Sequence, residues 1–282
     1  MDKALRGRRV RVFDAHISAR ACAAVIVLSA MALLICGALA SEKIGGSTGI
    51  AASLLPSIGA RDLRIRVDPD LVPWRAVGKL QAASISFRAL CTATLVGPST
   101  VVTAAHCLFN SRTQRNFPSE SLHFLIGYNG NRYAGHAIGT AVTIGDSYDP
   151  ERPKETIGGD WALVTLDKTL GSADRILPIL SEPLEDGADV MLGGYQQDHP
   201  LLLMADTQCR ILAHFVDAVG HLLLRHNCVG TKGASGAPLV VDRHGKWQVA
   251  AIEVAAEPGA AGGVAIDLSL RAGNAPFSFG PP

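Results

Sequence analysis

The stretch Cys91-Thr92-Ala93-Thr94-Leu95-Val96-Gly97-Pro98-Ser99-Thr100-Val101-Val102-Thr103-Ala104-Ala105-His106-Cys107 decides the fold. Two apolar runs flank a Gly97-Pro98-Ser99 turn, the pattern of a strand pair joined by a tight connection. A cysteine stands at each end of the unit, and His106 sits beside the second. A Cys91–Cys107 bridge would staple the hairpin and fix the backbone that carries His106. Closing a loop of this length contributes about 3 kcal/mol in the chain-entropy model.

Around this unit the chain has 282 residues, enough for one large or two ordinary domains with real cores. Twenty-nine glycines and little helical periodicity favour an all-β fold. The formal net charge of +1 gives no electrostatic reason to expect a nucleic-acid partner. Four of the six cysteines follow residue 40 and lack metal-type spacing, so disulfides in an exported chain are the expectation. Cys209 and Cys228 lie on two apolar runs around a Val219-Gly220 turn and are expected to form the second bridge.

The N-terminus supports export. Residues 1–20 are rich in arginine, and Ala21 to Ala40 carries no charge and ends Ala38-Leu39-Ala40. A basic start, an apolar stretch and a small-x-small end describe a signal peptide cleaved after Ala40. An uncleaved anchor is the alternative. The chain is thus expected to be secreted or periplasmic, or else membrane-anchored with its globular part outside. Residues 41–72 are expected to be a leader or pro-segment. Ser84-Ile85-Ser86-Phe87, Leu122 to Ile126, Tyr133 to Ile144, Ala188 to Gly194 and Arg210 to Phe215 read as strands, and Leu177 to Leu184 as a connector.

Two further segments carry chemistry. Gly158-Gly159-Asp160-Trp161-Ala162-Leu163-Val164 places an aspartate at the mouth of an apolar strand. Gly230-Thr231-Lys232-Gly233-Ala234-Ser235-Gly236-Ala237-Pro238-Leu239 places a serine in a glycine-rich loop before another. The glycines let the backbone turn so that the amides of Gly233 and Ser235 converge on one point. An α/β-hydrolase elbow needs glycine two residues after the serine, where Ala237 stands.

The Ala-Ala-His-Cys string, the aspartate and the serine loop, in that order, resemble trypsin/chymotrypsin-like serine peptidases. The segment Cys228 to Leu239 is similar to secreted bacterial members of the glutamyl-endopeptidase side. The resemblance covers roughly Pro73 to Leu268. It implies two six-stranded antiparallel β-barrels, over residues 73–175 and 176–270, with a flexible tail from 271 to 282. It implies that Ser235 attacks a peptide bond, His106 moves the proton, Asp160 orients His106, and the Gly233 and Ser235 amides hold the oxyanion. Protein or peptide substrates follow; no nucleic acid, cofactor or metal is implied, and a membrane enters only through an uncleaved N-terminal segment. A catalytically silent binding module and an esterase on the same barrels are the alternatives.

Two departures stand out. Trypsin-type enzymes carry an aspartate where Ala234 stands, and that aspartate receives a freed N-terminus. Activation by a freed amino group is therefore not expected here. By the same resemblance the substrate pocket is built from Val229, Gly230, Glu253, Ala256 and Gly263. Glutamate-specific relatives place a histidine at the position of Glu253 and a hydroxyl residue at that of Gly230. Both are absent, so no preference for acidic residues is expected. A buried carboxylate at Glu253 needs a partner, either a Lys or Arg side chain of the substrate or an internal arginine such as Arg225 or Arg271. With Val229 and two small walls, a medium apolar residue is the alternative preference.

Overall fold

The structure is a computed structural model that describes residues 58–59, 61–83 and 88–278. The expected signal or anchor, most of the leader, the run Ser84 to Phe87 and the last four residues lie outside the described residues. Among those described, no helix is long and apolar enough to cross a membrane.

The described residues form fifteen strands, in chain order β1 Ile65–Arg66, β2 Val77–Ala83, β3 Arg88–Gly97, β4 Thr100–Thr103, β5 Phe109–Asn110, β6 Arg115–Asn116, β7 Leu122–Ile126, β8 Gly135–Ile144, β9 Ala162–Leu166, β10 Asp189–Tyr195, β11 Leu203–Val216, β12 Leu222–His226, β13 Pro238–Arg243, β14 Lys246–Ala256 and β15 Gly263–Asp267. Every ladder between them is antiparallel. The first barrel closes in the order β2-β3-β4-β9-β8-β7. The second runs β11-β10-β13-β14-β15-β12 and closes because β12 pairs back onto β11. Both six-stranded barrels expected from the resemblance are present.

Alternation explains the strands. In β7, Leu122, Phe124 and Ile126 are fully buried while His123 and Leu125 face outward, the period-2 pattern of a one-sided strand. Each side chain so buried contributes about 1.5–3 kcal/mol. Gly78 of β2 is needed beneath this row, because a Cβ there would lie 2.2 Å from the Phe124 ring.

β11 is longer than its sequence suggests, starting at Leu203 rather than at Arg210. Its first half pairs with β10 and its second half with β12. Met204 and Ala205 pair with β10 on one edge, so β1, which pairs with the same two residues, occupies the other edge. Residues 61–72 thus include a strand of the second barrel's sheet. At the other end, Phe277 is buried against Trp161, with ring centroids 4.9 Å apart.

The barrels meet along β3 and β10. The Trp74 ring lies where a Cβ on Gly193 would be, 2.2 Å from it, so the Gly193-Gly194 pair lets the first barrel approach the β10 backbone. Tyr195 Oη donates to Tyr128 O across the same seam at 2.8 Å.

Candidate active site

The β3–β4 hairpin delivers His106 at its end, in a single 3-10 turn over Ala105–Leu108. Its cysteines form the bridge Cys91–Cys107, with Cα atoms 6.1 Å apart, inside the range that disulfide geometry requires. Cys209 and Cys228 form the second, at 4.8 Å.

Asp160 follows another 3-10 turn, Ile157–Gly159, immediately before β9. Its carboxylate makes two contacts with one residue: Oδ1 accepts from the His106 amide at 2.8 Å, and Oδ2 meets His106 Nδ1 at 2.7 Å. The aspartate side chain is 7% exposed and that of His106 34%. A carboxylate accepting from Nδ1–H leaves Nε2 as the basic nitrogen of the neutral ring. Burial of the ring works against protonation, but the charge and hydrogen bond of Asp160, with the charge of Glu253, outweigh it. The net result holds the His106 pKa above the usual histidine value.

Ser235 comes from the second barrel, on the loop between β12 and β13. Gly233 and Gly236 on either side adopt left-handed φ values of 97° and 76°, which glycine takes without strain. The loop is fastened to the first barrel through one residue, Thr92. Thr92 N donates to Ser235 O at 3.0 Å. Thr92 Oγ1 donates to Gly233 O and accepts from Tyr195 N, each at 2.9 Å. Cys107 Sγ, next to His106, lies 3.8 Å from Ser235 O. The serine loop and the histidine turn are therefore neighbours across the seam, although Ser235 Oγ and His106 Nε2 are not hydrogen-bonded. Neither the Gly233 nor the Ser235 amide donates to another described residue, so both are available as donors.

Of the five residues expected to line the substrate pocket, Glu253, Ala256 and Gly263 come together on β14 and β15. Ala256 pairs with Gly263, and a Cβ on Gly263 would lie 2.3 Å from Glu253 Oε1. Val229 is buried and donates its amide to Asp206 Oδ2 at 2.9 Å, while Gly230 lies against Leu192.

The partner of Glu253 is neither Arg225, which lies on the surface 3.8 Å from Glu257, nor Arg271, which reaches the Asp267 and Gly158 carbonyls. It is His226, buried, with Nε2 2.5 Å from Glu253 Oε2. His226 Nδ1 accepts from the Cys228 amide at 3.2 Å. A ring accepting at Nδ1 carries its proton on Nε2, so His226 is the neutral donor and Glu253 the acceptor.

Three residues important to this geometry were missed in the sequence: Thr92, His226 and Gln196, whose carbonyl accepts from Thr231 N at 2.8 Å. The inward parity of His226 on an alternating strand was a usable signal; the other two had none. Cys91, His106 and Cys107 bring candidate ligand atoms within 4.8 Å of one another, but the two sulfurs are joined to each other and offer no thiolate to a metal.

The model of the trypsin-like peptidase domain matches residues 91–252. The chain belongs to the trypsin-like peptidase family. The match begins at the first cysteine of the histidine hairpin and ends beside Glu253, so it spans all three expected catalytic positions. Among solved structures, one described as a Glu endopeptidase in complex with MPD superposes with a TM-score of 0.59 at 16% identity, covering 76% of this chain and 92% of its own. At that identity the likeness establishes the shared two-barrel fold. No curated protein matches the sequence.

Proposed function

We propose that this trypsin-like peptidase is an active, exported serine endopeptidase. Ser235 attacks the scissile carbonyl, His106 Nε2 takes the proton and returns it to the leaving amine, and Asp160 holds the imidazole through Nδ1–H. The amides of Gly233 and Ser235 receive the oxyanion of the tetrahedral intermediate. The observation that carries this reading is the two-point grip of Asp160 on His106, which fixes both ring orientation and tautomer beside the serine loop. The gap between Ser235 and His106 Nε2 is consistent with it, because such contacts tighten when substrate binds. Two disulfides and the N-terminal apolar stretch support a location outside the cytoplasm.

The pocket reading follows from Glu253. Its carboxylate is already served by His226, and its second oxygen lies against Gly263. An acidic side chain entering there meets like charge, so cleavage after Glu or Asp is disfavoured. The test is turnover of a mixed peptide library by the wild type and by His106→Ala and Ser235→Ala variants. Cleavage by the wild type alone is expected; equal cleavage by all three would remove the assignment.

A further inference from the structure

Arg64 lies in the segment before the first barrel, next to β1, and its side chain is 1% exposed. All five of its guanidinium N–H donors are used. Nε and Nη2 donate to the two Asp62 oxygens at 2.9 and 2.8 Å. Nη1 and Nη2 donate to the two Asp198 oxygens at 3.1 and 2.5 Å. The remaining Nη1 donor goes to Gln196 Oε1 at 2.6 Å.

That same Gln196 oxygen accepts the Thr231 amide at 2.8 Å. Thr231 opens the serine loop: its carbonyl accepts from Ala234 N at 2.9 Å, and Gln197 N donates to Lys232 O at 2.7 Å. Gln196 is fully buried, and among the described residues its amide nitrogen has no hydrogen-bond partner. A buried glutamine that leaves its nitrogen unpaired is held there by the work of its oxygen. The two donors fix which way the amide points.

We propose that Arg64 and Gln196 form a tether that sets the position of the Thr231–Ser235 loop, and with it the two oxyanion donors. The tether ties the serine loop to the segment that precedes the first barrel through a guanidinium whose charge is matched by Asp62 and Asp198. Arg64 and Gln196 are positioning residues; neither touches the reacting atoms. The inference rests on the serine-peptidase reading for its catalytic consequence, but not for the loop geometry.

Gln196→Met in the full chain cuts the link and leaves the Arg64–Asp62–Asp198 anchor whole. Oxyanion donors act in the transition state, so kcat should fall about 10–100-fold, short of the full loss of one donor, with KM changed less than about threefold. Arg64→Met should do the same. The double variant should be no worse than the stronger single, because both cut one tether. Arg64→Lys keeps the charge with three donors instead of five, and gives a milder variant if the others fail to fold; several-fold loss of kcat is expected.

Amide hydrogen exchange of peptides covering residues 229–237 provides a readout that needs no turnover. Faster exchange there in each folded variant supports the tether. A folded Gln196→Met protein with wild-type kcat and unchanged exchange in that window overturns it, as does a change in KM alone. If the wild type neither hydrolyses peptides nor reacts with a serine-directed probe, the peptidase reading fails and the exchange result alone decides the tether.

Discussion

Gly236→Ala tests how closely the serine loop is seated on the first barrel. A methyl at this position would lie 2.3 Å from Thr103 Oγ1, 2.4 Å from Thr92 O and 2.8 Å from Ala104 N. Two of these are backbone atoms of the strands leading to His106 and cannot rotate away. Ordinary carbon contacts begin near 3.5 Å, so the loop must retreat by about 1 Å. The left-handed φ of 76° costs an alanine about 1–2 kcal/mol, and overpacking about 1–3 kcal/mol more. A total near 3 kcal/mol lowers the melting midpoint of a domain this size by roughly 6–12 °C. A displacement of about 1 Å between serine and histidine costs about a hundredfold in rate. Active-site-titrated kcat/KM and thermal unfolding measure both effects. Gly245→Ala is the control: its φ is 80°, but no atom lies within 4 Å of the added methyl, so it should lose about 1 kcal/mol and no activity. If Gly236→Ala retains kcat/KM within twofold and melts with the control, the loop is not seated as described.

The raised His106 pKa sets the pH profile: kcat/KM should rise with a midpoint above 6.5, and an apparent midpoint at or below that value contradicts the Asp160 pairing. The same shift makes the His106–Asp160 pair contribute stability that is complete below pH 6.5 and lost as pH rises through the folded value, so His106→Gln should narrow the stability difference between pH 6 and pH 9. Replacing Cys91 and Cys107 by serine opens a loop of sequence separation 16 and should cost about 3 kcal/mol in denaturant unfolding, whereas an unchanged midpoint would mean the bridge does not constrain the unfolded chain. A cleavage profile should show no preference for Glu or Asp before the scissile bond, and Glu253→Gln should relax their exclusion; dominant cleavage after glutamate by the wild type would show that Glu253 does not line the pocket.

What the sequence revealed was local. The Cys91–Cys107 unit, Asp160 before an apolar strand and the glycine-rich loop at Ser235 are each contained within 17 residues or fewer, so periodicity and turn chemistry could be read directly. Contacts between distant segments left no such mark. Arg64 reaches Gln196 across 132 positions and Thr92 reaches Gly233 across 141, and nothing near either residue signals the partner. The partner of Glu253 was misread for a different reason. Arg225 and His226 are adjacent on β12, and alternation sends one outward and the other inward. Charge favoured the arginine; strand parity selected the histidine. The start of β11 was obscured because Leu203 to Ala205 is buried on both faces and so lacks the polar-apolar alternation of a one-sided strand.

A fluorophosphonate probe tests in one step whether Ser235 is an activated nucleophile. Intact-mass analysis and peptide mapping of the labelled wild type should locate a single adduct on Ser235, formed faster as pH rises through the His106 titration. Ser235→Ala should take no label and His106→Ala very little. An unlabelled, folded wild type, or an adduct that persists in Ser235→Ala, would contradict the account.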